Sequence, residues 1–304
     1  MSTAVVFPGM GPNRFADAAK FMMVNPSARR LLAAASDAVG YSVMNRFRDS
    51  EDDYSEAAQV AFFVNCVALA EWARERYGLE PAFCAGPSFG QKALTAFTGA
   101  LPFEDAARLT ALLARRTAEY FATEHRDLVT LSFVRAPWEA LAPLLEELTE
   151  RGEWHDFSCY LDDGFYMLTL RAQAVEEFER RIRSIGGLPL YTMRPPMHSS
   201  RFSGLREQVA DEVLGEFTFS DPEIPVVADG DGSVVRTGEG IRNMLLDGYV
   251  TAVRWPSVVA TLKELGVTRL CVAGPDRLFG RVDCTVSNFE VLAADPVRAM
   301  RPRT

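Results

Sequence analysis

The sequence predicts an α/β fold in which a large lobe with a parallel sheet carries a smaller inserted lobe. Short apolar runs that read as strands alternate with longer stretches of helical periodicity, which favours a parallel sheet covered by helices. The middle of the chain departs from this alternation, which indicates a second lobe. A chain of 304 residues with 48% hydrophobic residues is long enough to bury a core in each lobe.

The first part of the chain, residues 1–127, predicts a strand followed by helices and a second strand. Residues 3–7, TAVVF, predict a short buried strand, and the Pro- and Gly-rich segment 8–12 ends it. The elements expected after it are helices over 26–38 and 56–76, a strand over 81–85, a sharp turn over 86–90, and helices over 91–99 and 102–122.

Residues 128–196 predict a small lobe of the ferredoxin-like type. The expected elements are a strand over 128–134, a helix over 137–151, a hairpin of strands 156–161 and 165–170, a helix over 174–185 and a strand over 188–192. This β-α-β-β-α-β order defines the ferredoxin-like pattern. The large lobe resumes over residues 197–304, with helices over 203–214, 238–246 and 256–265 and strands over 225–228 and 268–273.

Composition limits the classes of partner. The net charge of −9 argues against a nucleic-acid binder, which is normally basic. The sequence contains no apolar run of the roughly 20 residues that span a bilayer and no signal peptide, so we expect no membrane partner. The five cysteines form no C-x-x-C pair, which argues against a metal site or disulfide scaffold and favours the cytoplasm.

The segment GPSFG at residues 86–90 fits the G-x-S-x-G nucleophile turn of α/β-hydrolase-like lobes. A tight strand-to-helix turn presents the hydroxyl of Ser88, and the helix N-terminus behind it offers N–H groups to a developing oxyanion. The alternative is a glycine-rich turn whose serine only caps the helix.

A serine nucleophile needs a base, and the chain has three histidines. His125 and His155 lie in polar stretches and are expected to be solvated. His198 follows two prolines at the return from the small lobe, where a stiff, extended segment could hold an imidazole in place. The alternative is a histidine on a surface loop.

Several motifs in one order resemble the malonyl-CoA:acyl carrier protein transacylases and the acyltransferase domains of polyketide synthases. They are FPGMG at 7–11, Ala58-Gln59 on a helix, GPSFGQ at 86–91, PMHS at 196–199 and the stretch 241–274 with its VRW at 253–255. The similarity spans nearly the whole chain, and the inserted ferredoxin-like lobe is also the small domain of that family.

The resemblance implies a serine acyltransferase with no bound cofactor, whose substrates are carried as phosphopantetheine thioesters. Ser88 would hold the acyl group as an ester, and His198 would accept its proton. The N–H groups of Met10 and Phe89 would form the oxyanion hole. The remaining implied positions are Gln59, which would line the substrate site, and a backbone carbonyl of Ala228 or Asp229, which would orient His198.

Departures from the family pattern concern the acyl group. Malonyl-specific members hold the free carboxylate with an Arg, and ungapped alignment puts Leu113 there, with Arg116 about one helical turn away. Met197 stands before the histidine, where the residue type selects the acyl group in polyketide domains. Together these favour a larger, non-malonyl group, aminoacyl or dipeptidyl, as in discrete acyltransferases of polyketide antibiotic pathways. If Arg116 serves instead, the chain is an ordinary malonyl transacylase.

Three other functions remain open at this stage. An editing acyl-carrier-protein hydrolase of the same family would share Ser88 and His198 and use water as the acceptor. A patatin-like hydrolase would pair the serine with an aspartate, and the DGDG at 229–232 superficially resembles its motif. The third is a protein that has lost its catalytic activity and only docks carrier proteins.

The expected partners are one or two acyl carrier proteins, with acyl-CoA as an alternative donor. Carrier proteins are generally acidic, and this chain is acidic as well, so docking needs a local basic patch. The candidates are Arg194 and Arg201, which flank the His198 segment, and Arg277 and Arg281, which follow Gly274-Pro275.

Overall fold

The computed structural model describes residues 2–301 as two β-sheets with helices packed against them. The strands in chain order are β1 Ser2–Val6, β2 Phe83–Ala85, β3 Leu128–Val134, β4 His155–Asp162, β5 Phe165–Arg171, β6 Leu188–Met193, β7 Val226–Val227, β8 Val234–Val235, β9 Val253–Arg254, β10 Val267–Ala273 and β11 Glu290–Ala294. The α-helices are α1 Phe15–Val24, α2 Pro26–Val39, α3 Val43–Arg48, α4 Glu56–Tyr77, α5 Gly90–Phe97, α6 Phe103–Thr123, α7 Trp138–Glu150, α8 Val175–Ser184, α9 Ser203–Glu212, α10 Gly238–Asp247, α11 Trp255–Glu264, α12 Asp283–Val286 and α13 Pro296–Ala299.

The large sheet has the strand order β11-β10-β1-β2-β7-β8 and is parallel except for the β7–β8 pair. Its central strand β1 pairs with β10 on one side and with β2 on the other. Parallel strands end at the same edge of a sheet, so the segments that follow β1 and β2 lie side by side. Phe7 N, just after β1, donates to Ala85 O at 2.9 Å, and this edge carries the serine turn.

The small sheet has the order β6-β3-β5-β4-β9, and its first four strands are antiparallel in the ferredoxin-like arrangement. Helices α7 and α8 contribute Leu141 and Phe178 to the core beneath it. The two-residue strand β9 extends this sheet by pairing in parallel with β4, although it belongs to the part of the chain expected in the large lobe. The lobe boundaries at 127/128 and 196/197 stay a prediction, and residues 1 and 302–304 lie outside the described residues.

The predicted α/β architecture with two lobes is confirmed, and most differences lie near the chain ends. Helices α1 and α3 and strand β11 were not expected from the sequence. Strand β11 pairs only with β10, at the edge of the large sheet, and three of its five residues are half-buried. Of the helices between residues 2 and 301, none is long and apolar enough to cross a membrane.

Candidate active site

Ser88 lies in the sharp turn between β2 and α5. Its backbone has a φ of 56°, a left-handed conformation that a residue other than glycine rarely adopts. Glycine is needed on both sides of it. A Cβ on Gly86 would lie 2.5 Å from the carbonyl carbon of Gly90, and a Cβ on Gly90 would overlap the carbonyl oxygen of Phe7. The two glycines thus allow β1, β2 and α5 to approach closely and present the serine.

The hydroxyl of Ser88 contacts the imidazole of His198, with 2.7 Å between Oγ and Nε2. The His198 side chain is 7% exposed, and its backbone also has a left-handed φ of 62°. The segment before it is tied to the small sheet, because Ser158 Oγ on β4 donates to Met197 O at 2.8 Å. The structure therefore brings together the two residues proposed from the sequence as nucleophile and base.

The surroundings of His198 keep its imidazole neutral. Burial lowers its pKa to about 4, a backbone contact with Gly248 opposes this, and the positive charge of Lys92 adds to it. A neutral imidazole at physiological pH has a lone pair on Nε2 that can accept the serine proton.

The group expected to orient His198 is not the one found. The carbonyl of Ala228 is bonded within its own turn, and the carbonyl of Asp229 accepts from Arg254 N on β9 at 2.7 Å. The expectation from the sequence was therefore wrong, because the chain after β7 turns these oxygens towards other partners. The backbone group near Nδ1 is that of Gly248, just after α10, and the contact is loose: within residues 2–301, Nδ1 has no hydrogen bond of standard geometry.

Asp229 instead holds the backbone of the serine turn. Its Oδ2 accepts from Ser88 N at 2.7 Å, and its Oδ1 accepts from Gln91 Nε2 at 2.7 Å. Burial raises the pKa of this carboxyl to about 6, against the two hydrogen bonds, which lower it. The Ser–Asp dyad of a patatin-like hydrolase is not formed, since Asp229 binds the backbone of Ser88 and the hydroxyl contacts His198.

Two backbone N–H groups beside the nucleophile are free to bind an oxyanion. Across residues 2–301, the N–H groups of Phe89 and Met10 have no acceptor. Phe89 follows Ser88 directly, and Met10 lies on the segment after β1, which runs beside the serine turn. Both residues line the same cleft as Ser88, so the pair expected from the sequence lies at the site.

Ser88 and His198 line a large cleft with a volume of about 1160 Å³. Its walls come from the segment after β1, from α4, α5 and α6, from strands β4 to β6, and from α13. This volume is large for a small-molecule site and suits a long substrate. No cluster of His, Cys, Asp or Glu in the described part of the chain could hold a metal ion.

The structure places some of the residues expected to contact the substrate at the cleft and one of them away from it. Those that line the cleft are Gln59, Leu113 and Met197. Arg116 does not line it, because its guanidinium forms ion pairs with Glu119 at 3.2 Å and with Glu212. Thr117, one turn beyond Leu113, shares the face of α6 that borders the cleft. Of the two positions considered for a carboxylate clamp, Leu113 lines the cleft and Arg116 does not.

Lys92 is a cleft residue that the sequence reasoning missed. It lies near the start of α5, four residues after the serine, and its Nζ donates to Gln59 Oε1 at 3.2 Å. A signal was present in the sequence, because Lys92 is one of only three lysines and stands among small and apolar residues beside the serine turn.

Arginines surround the outer part of the cleft. The docking candidates that line it are Arg194, Arg277 and Arg281. The fourth candidate, Arg201, instead lies over the ring of Trp154, with 4.7 Å from its guanidinium carbon to the ring centroid. Two arginines not considered from the sequence, Arg298 and Arg301, also line the cleft. Carboxylates line the same cleft, among them Asp52, Asp276 and Asp295, so its lining carries both signs of charge.

Comparisons with known proteins identify similar sequences over most of the chain. Residues 132–193 match the family described as the VinK acyltransferase small domain. The chain is 26% identical over 281 residues to the malonyl CoA-acyl carrier protein transacylase of Escherichia coli, covering 90% of this chain and 89% of that one. It is 25% identical over 277 residues to the protein of the same name from Bacillus subtilis, covering 90% and 68%.

Among solved structures, a type II polyketide synthase malonyl-transacylase in complex with its acyl-carrier protein has a similar fold. The TM-score is 0.85 at 24% identity, and the match covers 99% of both chains. These comparisons confirm the two-lobe fold and the family resemblance that the sequence motifs predicted.

Proposed function

We propose that this chain is an acyltransferase that holds an acyl group as an ester on Ser88 and passes it to the thiol of an acyl carrier protein. The observation that carries this proposal is the 2.7 Å contact between Ser88 Oγ and His198 Nε2 within the cleft. The names of relatives that are 25% and 26% identical support this class of reaction.

In the first half-reaction, His198 Nε2 takes the proton of Ser88 as Oγ attacks the carbonyl carbon of the incoming thioester. The oxyanion of the tetrahedral intermediate accepts hydrogen bonds from the N–H groups of Phe89 and Met10. The intermediate then collapses with cleavage of the carbon–sulfur bond, and the leaving sulfur takes the proton from His198. The acyl group is left as an ester on Ser88.

The second half-reaction reverses these steps with a new thiol. His198 takes the proton of the incoming phosphopantetheine thiol, and the sulfur attacks the ester carbonyl carbon. The same N–H groups bind the oxyanion. Cleavage of the carbon–oxygen bond releases Ser88, whose Oγ recovers the proton from His198. No net oxidation occurs and no bound cofactor takes part.

An acyl carrier protein is the proposed acceptor, and a second carrier protein or CoA is the proposed donor. The polyketide-synthase transacylase of similar fold was solved with its own carrier protein, which supports a partner of this kind. The arginines at the mouth of the cleft, Arg194, Arg277 and Arg281, are suited to an acidic partner. Arg201 is less suited, since its guanidinium is engaged with Trp154.

The finer proposal is that the acyl group is not malonyl and belongs to polyketide antibiotic biosynthesis, as an aminoacyl or dipeptidyl group. Leu113 lines the cleft where an arginine would be needed to hold the malonyl carboxylate, and Arg116 is paired outside it. The match to the VinK acyltransferase small domain supports acyl transfer, and the type II polyketide synthase transacylase of similar fold supports the polyketide pathway. Ordinary malonyl transfer is the second candidate, favoured by the names of the relatives and by the cationic Lys92 in the cleft.

A competition between thioesters tests this proposal. Wild-type protein is incubated with malonyl, butyryl and alanyl pantetheine thioesters together with a carrier protein, and the acyl-Ser88 and acyl-carrier species are measured by intact mass. We expect acyl transfer to the carrier protein, with a neutral or aminoacyl group reacting faster than malonyl. Release of free acid without transfer would identify a hydrolase, and a preference for malonyl would identify an ordinary transacylase.

A further inference from the structure

Lys92 is the one described lysine that lies inside the fold. The other two, Lys20 and Lys263, are exposed on α1 and α11. Lys92 lies on α5 and is half-buried, because it borders the cleft. It therefore faces the space that the acyl group on Ser88 would occupy.

The ammonium of Lys92 has few protein partners. Its Nζ donates to Gln59 Oε1 at 3.2 Å and lies 4.5 Å from the ring centroid of Phe89. No carboxylate in residues 2–301 forms an ion pair with it, although nearly all lysines in folded proteins are exposed or paired. An ammonium has three donors, and Gln59 accepts from one of them, so two donors lack a protein acceptor.

No opposite charge in the described part of the protein compensates for burial of the Lys92 ammonium. Burial lowers the pKa of Lys92 to about 7, and no nearby carboxylate raises it again. Lys92 also influences His198 by its charge, which places it within electrostatic reach of the reacting atoms. Gln59 does not remove the cost of burial, since an amide oxygen is only a neutral acceptor, but it fixes the position of the ammonium.

We propose that Lys92 selects the acyl group by donating hydrogen bonds to an oxygen acceptor on the acyl chain, beyond the thioester carbonyl. This inference rests on the proposed acyltransferase function and names the part of the substrate that the site recognises. Leu113 and Met197 border the same cleft and suit the apolar part of the chain. A simple alkyl acyl group would leave the two free donors of Lys92 without a partner.

Two kinds of acyl group supply such an oxygen. The carboxylate of malonyl would need the positive charge of Lys92, whereas the amide carbonyl of an N-acylated amino acid or a dipeptide would need only an N–H donor. Two substitutions separate these sources. Lys92→Met removes both charge and donors at similar length, and Lys92→Gln keeps an N–H donor without the charge.

The experiment measures the rate of Ser88 acylation from malonyl, N-acetyl-β-alanyl and butyryl pantetheine thioesters. We expect Lys92→Met to slow the preferred oxygen-bearing thioester by about 10- to 100-fold relative to butyryl, the size of effect of a hydrogen bond to a charged group. Retained acylation in Lys92→Gln would identify an amide carbonyl, and its loss a carboxylate. Lys263→Met is the matched control, because it removes an exposed lysine outside the cleft.

A binding measurement keeps this inference separate from the proposed reaction. In Ser88→Ala no ester can form, so the Kd values of the same three thioesters report recognition alone. We expect Ser88→Ala/Lys92→Met to lose the preference for the oxygen-bearing thioester over butyryl. An equal effect of Lys92→Met on all three thioesters, in rate and in Kd, would overturn the assignment. A binding preference that depends on Lys92 without any acylation would overturn the reaction instead.

Discussion

Substitution of Asp229 by Asn tests how the serine turn is held. The carboxylate accepts from Ser88 N and from Gln91 Nε2, each at 2.7 Å. An Asn side chain has one oxygen, so it can replace only one of these bonds and presents its NH₂ group to the other donor. We expect the turn to lose its firm position and the rate of Ser88 acylation to fall, by about 10- to 100-fold if a charge-assisted bond of roughly 1.5–3 kcal/mol is lost.

The effect on stability should be much smaller than the effect on rate. Burial raises the pKa of Asp229 from 3.8 to about 6, so the folded state binds a proton more tightly than the unfolded state. The contribution of Asp229 to the free energy of unfolding therefore falls as pH rises from about 4 to 6, by about 3 kcal/mol at neutral pH. Asn carries no charge and avoids that loss, which offsets the hydrogen bond it cannot make. The free energy of unfolding at pH 7 should thus change by no more than about 1–2 kcal/mol.

The assay compares Asp229→Asn with Asp231→Asn by intact-mass kinetics of Ser88 acylation and by urea unfolding at two pH values. Asp231 is exposed in the same turn, and its Oδ1 accepts only from Ser233 N, so it controls for the loss of one acidic group. We expect wild type to lose stability relative to Asp229→Asn when the pH is raised from 4 to 7. Wild-type acylation rates in Asp229→Asn would refute the supporting role of this carboxylate.

Four further substitutions test the remaining assignments. His198→Ala should slow acyl transfer by about 10²- to 10⁴-fold while the fold survives, because the serine loses its base; near wild-type rates by stopped-flow would exclude His198 from that role. Arg116→Ala should leave every acylation rate within about twofold and cost at most about 1 kcal/mol, since its ion pairs lie outside the cleft. A selective loss of malonyl use in this variant would show that Arg116 reaches the substrate. Arg277→Glu and Arg281→Glu should each raise the KM for carrier protein by roughly two- to fivefold and weaken the salt dependence of this KM. The control is Arg29→Glu, which changes an exposed arginine on α2 and should leave the KM as it is. An unchanged KM in both cleft variants would refute docking at the cleft mouth.

Local chemistry explains the parts of the fold and site that could be predicted from the sequence. The serine turn depends on residues within five positions of each other, and the need for glycine at 86 and 90 is a matter of backbone contact. Helix α4 begins after Ser55, whose hydroxyl accepts from Ala58 N at 3.3 Å. Apolar periodicity placed the ferredoxin-like strands and helices because both α7 and α8 bury one face against the small sheet.

The parts that were missed depend on contacts between distant segments. The carboxylate of Asp229 reaches Ser88 from 141 positions later in the chain, and no local pattern indicates that partner. Strand β9 is two residues long and is defined only by its pairing with β4. Whether Arg116 lines the cleft depends on which face of α6 it occupies. It is one turn from Leu113 in sequence, yet its guanidinium forms an ion pair outside the cleft.

The mass of the protein after incubation with an acyl thioester, in the absence of carrier protein, tests the central claim most directly. We expect wild type to gain one acyl group on Ser88, and Ser88→Ala to gain none. All five cysteines are free, and Cys284 is the one that is only half-buried, so neutral hydroxylamine should be used to remove any thioester adduct and leave the serine ester. A hydroxylamine-resistant adduct that maps to another residue, or one that persists in Ser88→Ala, would contradict the account.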